Sequence, residues 1–269
     1  MNLFFLNRNF ESENYFNLLF GNIINRLFDE LIVSDDTDFG TEFELSLKAR
    51  PLHSIAAAKE SPASIKSIKH KAALQFEYLR KIVPDFKQYH TSVEPAFVSD
   101  EFGIRGRLDL FLEDKEDPLK KTIIELKSGK APSKNLYYMD DNQNKIITGI
   151  WHNHFIQVTC YNMLIDSVFE NRTGDSCILY SSTDIFPLRD APNITLKKQE
   201  ALILRNKIIA LSNALRSGNQ KIFETFTLKD FGNRPSYIDK KIIEFSKFYH
   251  ACSKTEIDYF HFFNTFIEK

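Results

Sequence analysis

Three side chains that could act on a phosphate ester lie in two short segments of the chain. Asp109 belongs to GRLDLFL (106–112), in which leucines alternate with other residues at the period of two typical of a strand. Glu125 and Lys127 belong to TIIELK (122–127), where residues two apart point to the same face. If the strands pair, Asp109 lies beside Glu125 and Lys127. Two carboxylates and an ammonium on one sheet face could hold a divalent metal next to a lysine, which suits phosphodiester cleavage.

The connector between the two segments, EDKEDPLKK (113–121), contains a proline and is otherwise mostly charged, so it predicts a solvated turn. An acidic residue followed at some distance by Glu-x-Lys arises readily by chance. An exposed Glu and Lys on an edge strand would therefore explain the pattern equally well.

Three further features favour a metal site over a chance arrangement of these residues. Gly106 could let the backbone bend at the start of the first strand, and Lys130 adds a second cation just after the second strand. A helical segment, HFIQVTCY, then places Gln157 and Tyr161 on one face at the spacing i, i+4, with His154 one turn earlier. A helix that presents these groups beside the strands could hold a nucleic-acid strand over a metal site.

Together these motifs resemble the PD-(D/E)XK nuclease superfamily. The matching motifs are GIRGRLD (103–109), ELKSGK (125–130) and the helix with His154, Gln157 and Tyr161. Within the superfamily they are similar to the nuclease domain of the Dna-two-type replication helicase–nucleases and to the RecB and Cas-four nucleases. The resemblance implies an α/β fold with a restriction-endonuclease-like core. In that fold a central mixed β-sheet is flanked by helices, with helical N- and C-terminal additions.

The resemblance also assigns roles to particular residues and implies Mg²⁺ or Mn²⁺ as the cofactor. The implied catalytic residues are Asp109, Glu125, Lys127, Gln157 and Tyr161. The implied metal ligands are Asp109, Glu125 and the backbone carbonyl of Leu126, with Glu94 in VEPAF as a further carboxylate that could equally be a surface residue. The candidate DNA contacts are Arg105, Arg107, Lys130 and His154.

Two departures from the family pattern bear on the metal. Where relatives carry Gly-x-x-x-His in the first helix, this chain has Gly21 and Asn25, so Asn25 could bind metal only through its amide oxygen or a water. Many relatives hold an iron–sulfur cluster with four cysteines. The chain has three, at 160, 177 and 252, so it cannot supply four thiolates and no iron–sulfur cluster is expected.

The function that this resemblance implies is a metal-dependent DNA nuclease acting on single-stranded or flap DNA in replication or repair. DNA and a helicase domain or subunit are the implied partners. A nuclease-fold DNA-binding module that has lost catalysis is an alternative, motivated by Asn25. A restriction-type endonuclease that cleaves duplex DNA would use the same residues and is a third reading.

Composition sets limits on these readings. The chain has 269 residues, of which 43% are hydrophobic and 26% charged, as expected of a globular protein. The net charge of -1 argues against a uniformly basic coat, although a local groove can be basic.

Apolar runs are too short to predict a membrane span. The cysteine pattern and the absence of signal-peptide features predict a cytoplasmic protein. The only Gly-Lys, at 129–130, is followed by alanine, so no ATP-binding P-loop is predicted.

Periodicity and breaker residues predict the remaining elements and two regions, 1–228 for the nuclease domain and 229–269 for a helical extension. Pro84 is expected to end one helix and Thr195 to cap another. The predicted helices are 11–33, 64–83, 154–169, 195–218, 240–251 and 255–269. Strands are predicted at 93–98 and 177–184, and a loop or hairpin at 133–149.

Overall fold

The computed structural model describes residues 15–60, 62–217, 247 and 251–267. The chain forms two compact units, Ser12–Leu202 and a second composed of Met1–Glu11 and Ile203–Lys269. The predicted boundary between residues 228 and 229, and most of the predicted helix 240–251, lie outside the described residues. Within the described ranges, no helix has the length and apolar character needed to cross a membrane.

Four helices precede the first strand. They are α1 (Tyr15–Val33), α2 (Phe39–Ala49), α3 (Pro51–Glu60) and α4 (Pro62–Phe86). In α1 the buried side chains recur at helical spacing, as Leu19, Ile23, Leu27 and Leu31 illustrate, so the predicted apolar face is confirmed. The buried face of α1 packs against the central sheet.

The prediction that Pro84 ends α4 is wrong by two residues, since the helix continues to Phe86 with Pro84 inside it. Proline removes only one N–H, and this close to the end of a helix the lost hydrogen bond concerns the final turn alone. The last turn is also stabilised by the residue that follows the helix, because Lys87 N donates to Val83 O at 3.2 Å.

The central sheet has five strands in the order β1-β4-β5-β8-β9. The strands are β1 (His90–Val93), β4 (Leu110–Glu113), β5 (Lys121–Lys127), β8 (Ser176–Tyr180) and β9 (Leu188–Asp190). β5 and β8 are parallel, whereas the other neighbours are antiparallel, so the sheet is mixed. Two further pairs are antiparallel: β2 (Ala96–Ser99) with β3 (Ile104–Arg107), and β6 (Tyr137–Met139) with β7 (Lys145–Ile147). The second pair confirms a hairpin within 133–149.

The segments read as single strands at 93–98 and 106–112 are each interrupted. β1 and β2 face β4 and β3 in one continuous register, with Val93 opposite Leu110 and Ala96 opposite Arg107. The interruption lies at Glu94, whose φ is 47°, and at the following Pro95, which has no N–H to donate. The result is one long bent hairpin, and the bend falls beside Asp109.

Helices cover both faces of the central sheet. On one face, α1 and α4 pack against apolar residues of the central strands; these are Leu110, Leu112, Ile124, Leu126, Cys177 and Leu179. On the other face lies α5 (His152–Val168), whose Ile165 packs with Phe111 and Ile123, while Val158 packs with Ile178. The predicted mixed α/β fold with a central sheet flanked by helices is confirmed.

The last described helices are α6 (Thr195–Arg216) and α7 (Lys254–Ile267). The prediction that Thr195 caps α6 is wrong, because Thr195 is already helical. Its N–H and that of Leu196 instead donate to the two carboxylate oxygens of Asp141, at 3.0 and 2.9 Å. A carboxylate from the β6–β7 turn therefore caps this helix and complements its N-terminal dipole.

Candidate active site

Asp109 comes directly before β4, and Glu125 lies in the neighbouring strand β5, so the two segments bring the carboxylates together as the sequence predicted. The register that pairs Leu110 with Ile124 places Asp109 and Glu125 at the next position. The two carboxylates are sixteen residues apart in the sequence, and each affects the pKa of the other in the fold.

The Glu125 carboxylate has one oxygen fully engaged and one without a donor. Its Oε1 accepts from Lys127 Nζ and from Gln157 Nε2, each at 2.6 Å. Its Oε2 is buried, and no group in the described part of the chain donates a hydrogen bond to it. A buried carboxylate oxygen without a donor is unfavourable unless a cation or a proton satisfies it.

A helix-borne amide links the lysine to the glutamate. Gln157 Oε1 accepts from Lys127 Nζ at 2.9 Å, and Gln157 Nε2 also lies 2.9 Å from the hydroxyl of Tyr161. The four side chains predicted to act together, Glu125, Lys127, Gln157 and Tyr161, thus form one hydrogen-bonded group. A side chain held by several partners in this way is fixed in position before any substrate binds.

The backbone of Leu126 also faces this group. Its N–H donates to Asp109 Oδ2 at 2.7 Å. The Asp109 side chain thus accepts the hydrogen bond that a backbone carbonyl would accept if β4 were longer. In a strand the N–H and C=O of one residue point to the same side and alternate along the chain. The next carbonyl, that of Lys127, accepts from Ser181 N on the β8 side at 3.0 Å. The Leu126 carbonyl therefore points to the Asp109 side, as a metal ligand there would require.

Burial is the main cause that raises the pKa values of both carboxyls. Burial, followed by the negative charge of Asp109, raises the pKa of Glu125 to about 8. Burial also raises the pKa of Asp109, although the hydrogen bond from Leu126 N and the charge of Lys127 oppose the rise. Because burial and the nearby Asp109 disfavour the ionised form of Glu125, a divalent cation that neutralises these charges is favoured at the site.

Close packing of α5 brings Gln157 and Tyr161 to the sheet. A Cβ added at Gly106 in β3 would lie 2.8 Å from Leu164 Cδ1 and 3.0 Å from Tyr161 Cε1. The sequence suggested that this glycine permits a bend, whereas it lies within β3 opposite Phe97 and permits the approach of the helix. Its role is to make room for Tyr161.

Two further residues contribute to the site that the sequence did not single out. Asp29 in α1 has its pKa raised to about 7, first by burial and then by the charges of Glu94 and Asp109. Asp29 therefore faces the same acidic region. A signal for it exists in the sequence, because Asp29 follows Gly21 and Asn25 at intervals of four on one helical face.

Gln75 in α4 positions the end of β5. Its Nε2 donates to Ser128 O at 3.0 Å, and its Oε1 accepts from Ser181 Oγ at 2.7 Å. A single buried amide thereby joins the turns that follow two parallel strands. Nothing in the local sequence of α4 distinguishes Gln75 from other polar helical residues, so it was missed.

Asn25 of the first helix and Glu94 of the bend were predicted as further metal ligands. Asn25 is half-buried in α1, one turn before Asp29, and an alanine-sized group at Gly21 would lie 3.7 Å from Ser128 Oγ. Glu94 pairs with Arg107, with Glu94 Oε2 3.1 Å from Arg107 Nη1. A pair this exposed contributes little to stability. The roles predicted for Asn25 and Glu94 as metal ligands stay predictions.

The predicted DNA contacts occupy different environments. Arg105 and Lys130 are exposed, and the Lys130 carbonyl accepts from Trp151 Nε1 at 3.1 Å. His154 is half-buried, with Nδ1 2.9 Å from the Tyr180 hydroxyl. Burial and the charge of Lys127 lower the pKa of His154 to about 4. At neutral pH this imidazole is uncharged and can meet a phosphate only as a hydrogen-bond partner.

The donor set fits a hard divalent cation with part of its coordination left to water. Among the residues described, no group of three or more His, Cys, Asp or Glu side chains is close enough to hold a metal. The site offers the Asp109 carboxylate, the free oxygen of Glu125 and the Leu126 carbonyl. Mg²⁺ commonly binds through one or two carboxylates and retains several waters, so this set suits it.

Comparisons with known proteins find distant structural similarity. No family model matches the chain, and no curated protein matches it in sequence. Among solved structures, the chain is similar to the one titled "Putative exonuclease" from Eubacterium rectale, with 14% identity and a TM-score of 0.46. The match covers 86% of this chain and 81% of that one. A similarity of this size does not identify a family.

Proposed function

We propose that the protein is a metal-dependent nuclease that hydrolyses phosphodiester bonds in DNA. The observation that carries the proposal is the pair Asp109 and Glu125, with the buried Glu125 Oε2 that no described residue satisfies. Lys127 lies on the same face and is held by Gln157. An acidic pair alone would suit many metal proteins, whereas the added lysine supplies positive charge where a phosphate ester would gain negative charge.

Asp109, Glu125 and the Leu126 carbonyl would hold Mg²⁺ or Mn²⁺. When bound, such a cation lowers the pKa of a coordinated water and neutralises charge on the phosphate. Lys127 Nζ, held 2.6 Å from Glu125 Oε1, would orient the attacking water and stabilise the charge that develops on the phosphate oxygens.

Gln157 and Tyr161 would position both the lysine and the DNA backbone. Gln157 accepts from Lys127 and donates to Glu125, so it sets the direction of the ammonium group. Burial raises the pKa of the Tyr161 hydroxyl to about 12, so it stays protonated and can donate to a phosphate oxygen. Proximity and orientation of this kind account for a large share of the rate enhancement in hydrolytic enzymes.

The substrate we propose is single-stranded or flap DNA, processed in the cytoplasm during replication or repair. This finer proposal is supported by the resemblance of the motifs around Asp109, Glu125 and Lys127 to PD-(D/E)XK nucleases of the Dna-two type. The same resemblance supports a helicase domain or subunit as the partner that would supply such DNA.

Cleavage of a labelled single strand tests the proposal. With Mn²⁺ or Mg²⁺, the wild-type protein should degrade the strand, and EDTA should stop the reaction. Lys127→Ala should reduce the rate at least about 100-fold, the effect typical of losing one group that stabilises transition-state charge. Lys115→Ala, which changes an exposed lysine in the β4–β5 connector, should cleave like wild type. Equal rates for wild type and Lys127→Ala would refute the proposal.

A DNA-binding module without catalysis is the second candidate, and Asn25 is the observation that favours it. An amide at this position replaces the imidazole of the family pattern and so changes the donor set offered to a metal. Binding of the strand with no cleavage at any Mn²⁺ concentration would support this candidate. Cleavage of intact plasmid at fixed positions would instead indicate a restriction-type enzyme.

A further inference from the structure

A basic groove opens at the carboxyl ends of the two parallel strands β5 and β8. It has a volume of about 430 Å³ and is lined by residues 130–134, residues 182–185 and Arg189 of β9. In open α/β sheets, ligands commonly bind where parallel strands end and their loops diverge. The acidic pair does not line this groove, which is therefore a separate surface feature of the unit Ser12–Leu202.

Positive charge dominates the groove. Lys130, Lys134 and Arg189 line it, and Asp184 supplies the opposing charge. Arg189 Nε is buried and finds no hydrogen-bond partner among the described residues. A guanidinium group stays charged at all accessible pH values, so its buried N–H requires an acceptor. A phosphate oxygen is the acceptor that an arginine fork fits well.

The groove lies on the same side of the sheet as the acidic pair. Glu125 is opposite Ile178 in β8, and Ile178 is opposite Arg189 in β9, so the three side chains point to one face. Neighbouring strands are about 4.8 Å apart, which places Arg189 roughly 10 Å from Glu125 along the row.

Two contacts fix the shape of the groove. Ala131 N donates to Thr183 Oγ1 at 3.0 Å, which joins the loop after β5 to the loop after β8. Trp151 Nε1 donates to the Lys130 carbonyl at 3.1 Å. The lysines therefore extend from a backbone that is held on both sides.

An exposed aromatic ring lies at the rim. Phe186 follows the lining residue Ile185, and its side chain is 67% exposed. Its φ of 52° is in the left-handed region, which is unfavourable for a phenylalanine. The ammonium of Lys134 lies 4.3 Å from the centre of the ring. A solvent-exposed ring beside a cation is the arrangement on which unpaired bases stack in single-strand binders.

We propose that this groove binds single-stranded DNA beside the bond to be cleaved, with Lys134 and Arg189 on phosphates and a base stacked on Phe186. The link to cleavage rests on the function proposed above, whereas the binding itself does not. Stacking requires an unpaired base, so the groove favours single strands over duplex.

Binding measured without metal tests the groove separately from catalysis. The probe is a fluorescein-labelled 20-nucleotide thymidine strand, followed by anisotropy in EDTA, where no cleavage occurs. Phe186→Ala should weaken binding about fivefold or more, the effect of losing one stacked base. Lys134→Ala and Arg189→Gln should each weaken binding and reduce the salt slope by about 0.7, the value for one phosphate contact with a single strand. Lys115→Ala serves as the matched control and should bind like wild type.

An abasic strand of the same length separates stacking from charge. Phe186→Ala should bind it like wild type does, whereas Lys134→Ala should still bind it more weakly. Phe186 and Lys134 are exposed, so these variants test the groove even if Arg189→Gln proves unstable. The inference fails if Phe186→Ala and Lys134→Ala both bind the thymidine strand as wild type does. If these variants are weakened but wild type never cleaves with Mn²⁺, the groove stands and the proposed function falls.

Discussion

At the scale of single residues, the two oxygens of the Glu125 carboxylate lie in opposite environments. One oxygen accepts two hydrogen bonds, and the other lies buried beside Asp109. In a protein without metal this arrangement opposes folding once the pH exceeds the pKa of Glu125, because a buried negative charge next to another carboxylate is poorly solvated. A site that is unfavourable when empty favours the cation that fills it.

A pH-dependent stability follows from Glu125. Its folded-state pKa of about 8 exceeds the ordinary value of 4.5, so between these values the folded protein binds a proton that the unfolded chain has lost. The stability from this group is therefore present at low pH and is lost as the pH rises through about 8. Glu125→Gln removes the titration and can place an N–H near Asp109.

We therefore expect thermal unfolding in EDTA to differ between wild type and Glu125→Gln. From pH 5 to pH 8.5 the melting temperature of wild type should fall several degrees further than that of the variant, at about 2–4 °C per kcal/mol for a domain of this size. The variant should also lose cleavage activity. A parallel pH dependence in the two proteins would contradict the buried charge assigned to Glu125.

Asp29 provides a second prediction at this scale. Asp29→Asn removes a carboxylate that interacts electrostatically with Asp109 and Glu94, so the acidic region attracts a cation less strongly. The Mn²⁺ concentration for half-maximal cleavage should rise about tenfold, the lower end of the effects seen for groups that support metal ligands.

The control for Asp29 is its neighbour in the same helix. Glu30 Oε1 lies 3.3 Å from Arg26 Nη2, so it has a cationic partner of its own. Glu30→Gln should leave the Mn²⁺ dependence unchanged. Equal shifts in the two variants would show that only the general charge of α1 matters.

At the scale of elements, the distance between α5 and β3 determines whether the site assembles. Gly106→Ala would force Leu164 and Tyr161 to move, because the new methyl would lie within 3.0 Å of both side chains. Displacement of a positioning group by about 1 Å can reduce a rate by about 100-fold. We expect kcat to fall at least about tenfold.

Gly129→Ala is the matched control for this substitution. A Cβ at Gly129 would meet no described atom within 4 Å. Melting temperatures should therefore fall for Gly106→Ala and stay at the wild-type value for Gly129→Ala. An unchanged kcat and melting temperature for Gly106→Ala would show that α5 does not pack as closely as described.

The elements also show what could be read from the sequence. The alternation of apolar residues and the charged connector predicted that the strands near Asp109 and Glu125 pair with each other. These two signals could be recognised because each depends only on residues close together in the sequence. The bend at Glu94 was missed because it arises where two pairs of strands meet, and the cap of α6 was missed because Asp141 lies far from it in sequence. Gln75 was missed for the same reason. Local patterns predicted the strands, and the long-range contacts that position the site required the structure.

At the scale of the molecule, metal binding should be coupled to stability. A ligand at 100 times its Kd stabilises the folded state by about 2.7 kcal/mol, which corresponds to roughly 5–10 °C for a domain of this size. Mn²⁺ should raise the melting temperature of wild type by that amount and that of Asp109→Asn by much less. Calorimetry with Mn²⁺ and with EDTA measures the difference, and equal shifts in both proteins would place the metal elsewhere.

The most direct test is the position of the metal. A crystal of the protein soaked in Mn²⁺ and measured at the manganese absorption edge would locate the ion by anomalous scattering. We predict a peak about 2–2.5 Å from Asp109, from Glu125 Oε2 and from the Leu126 carbonyl, the range typical of hard cations with oxygen ligands. No peak between Asp109 and Glu125 at saturating Mn²⁺, in crystals of active protein, would contradict the central claim.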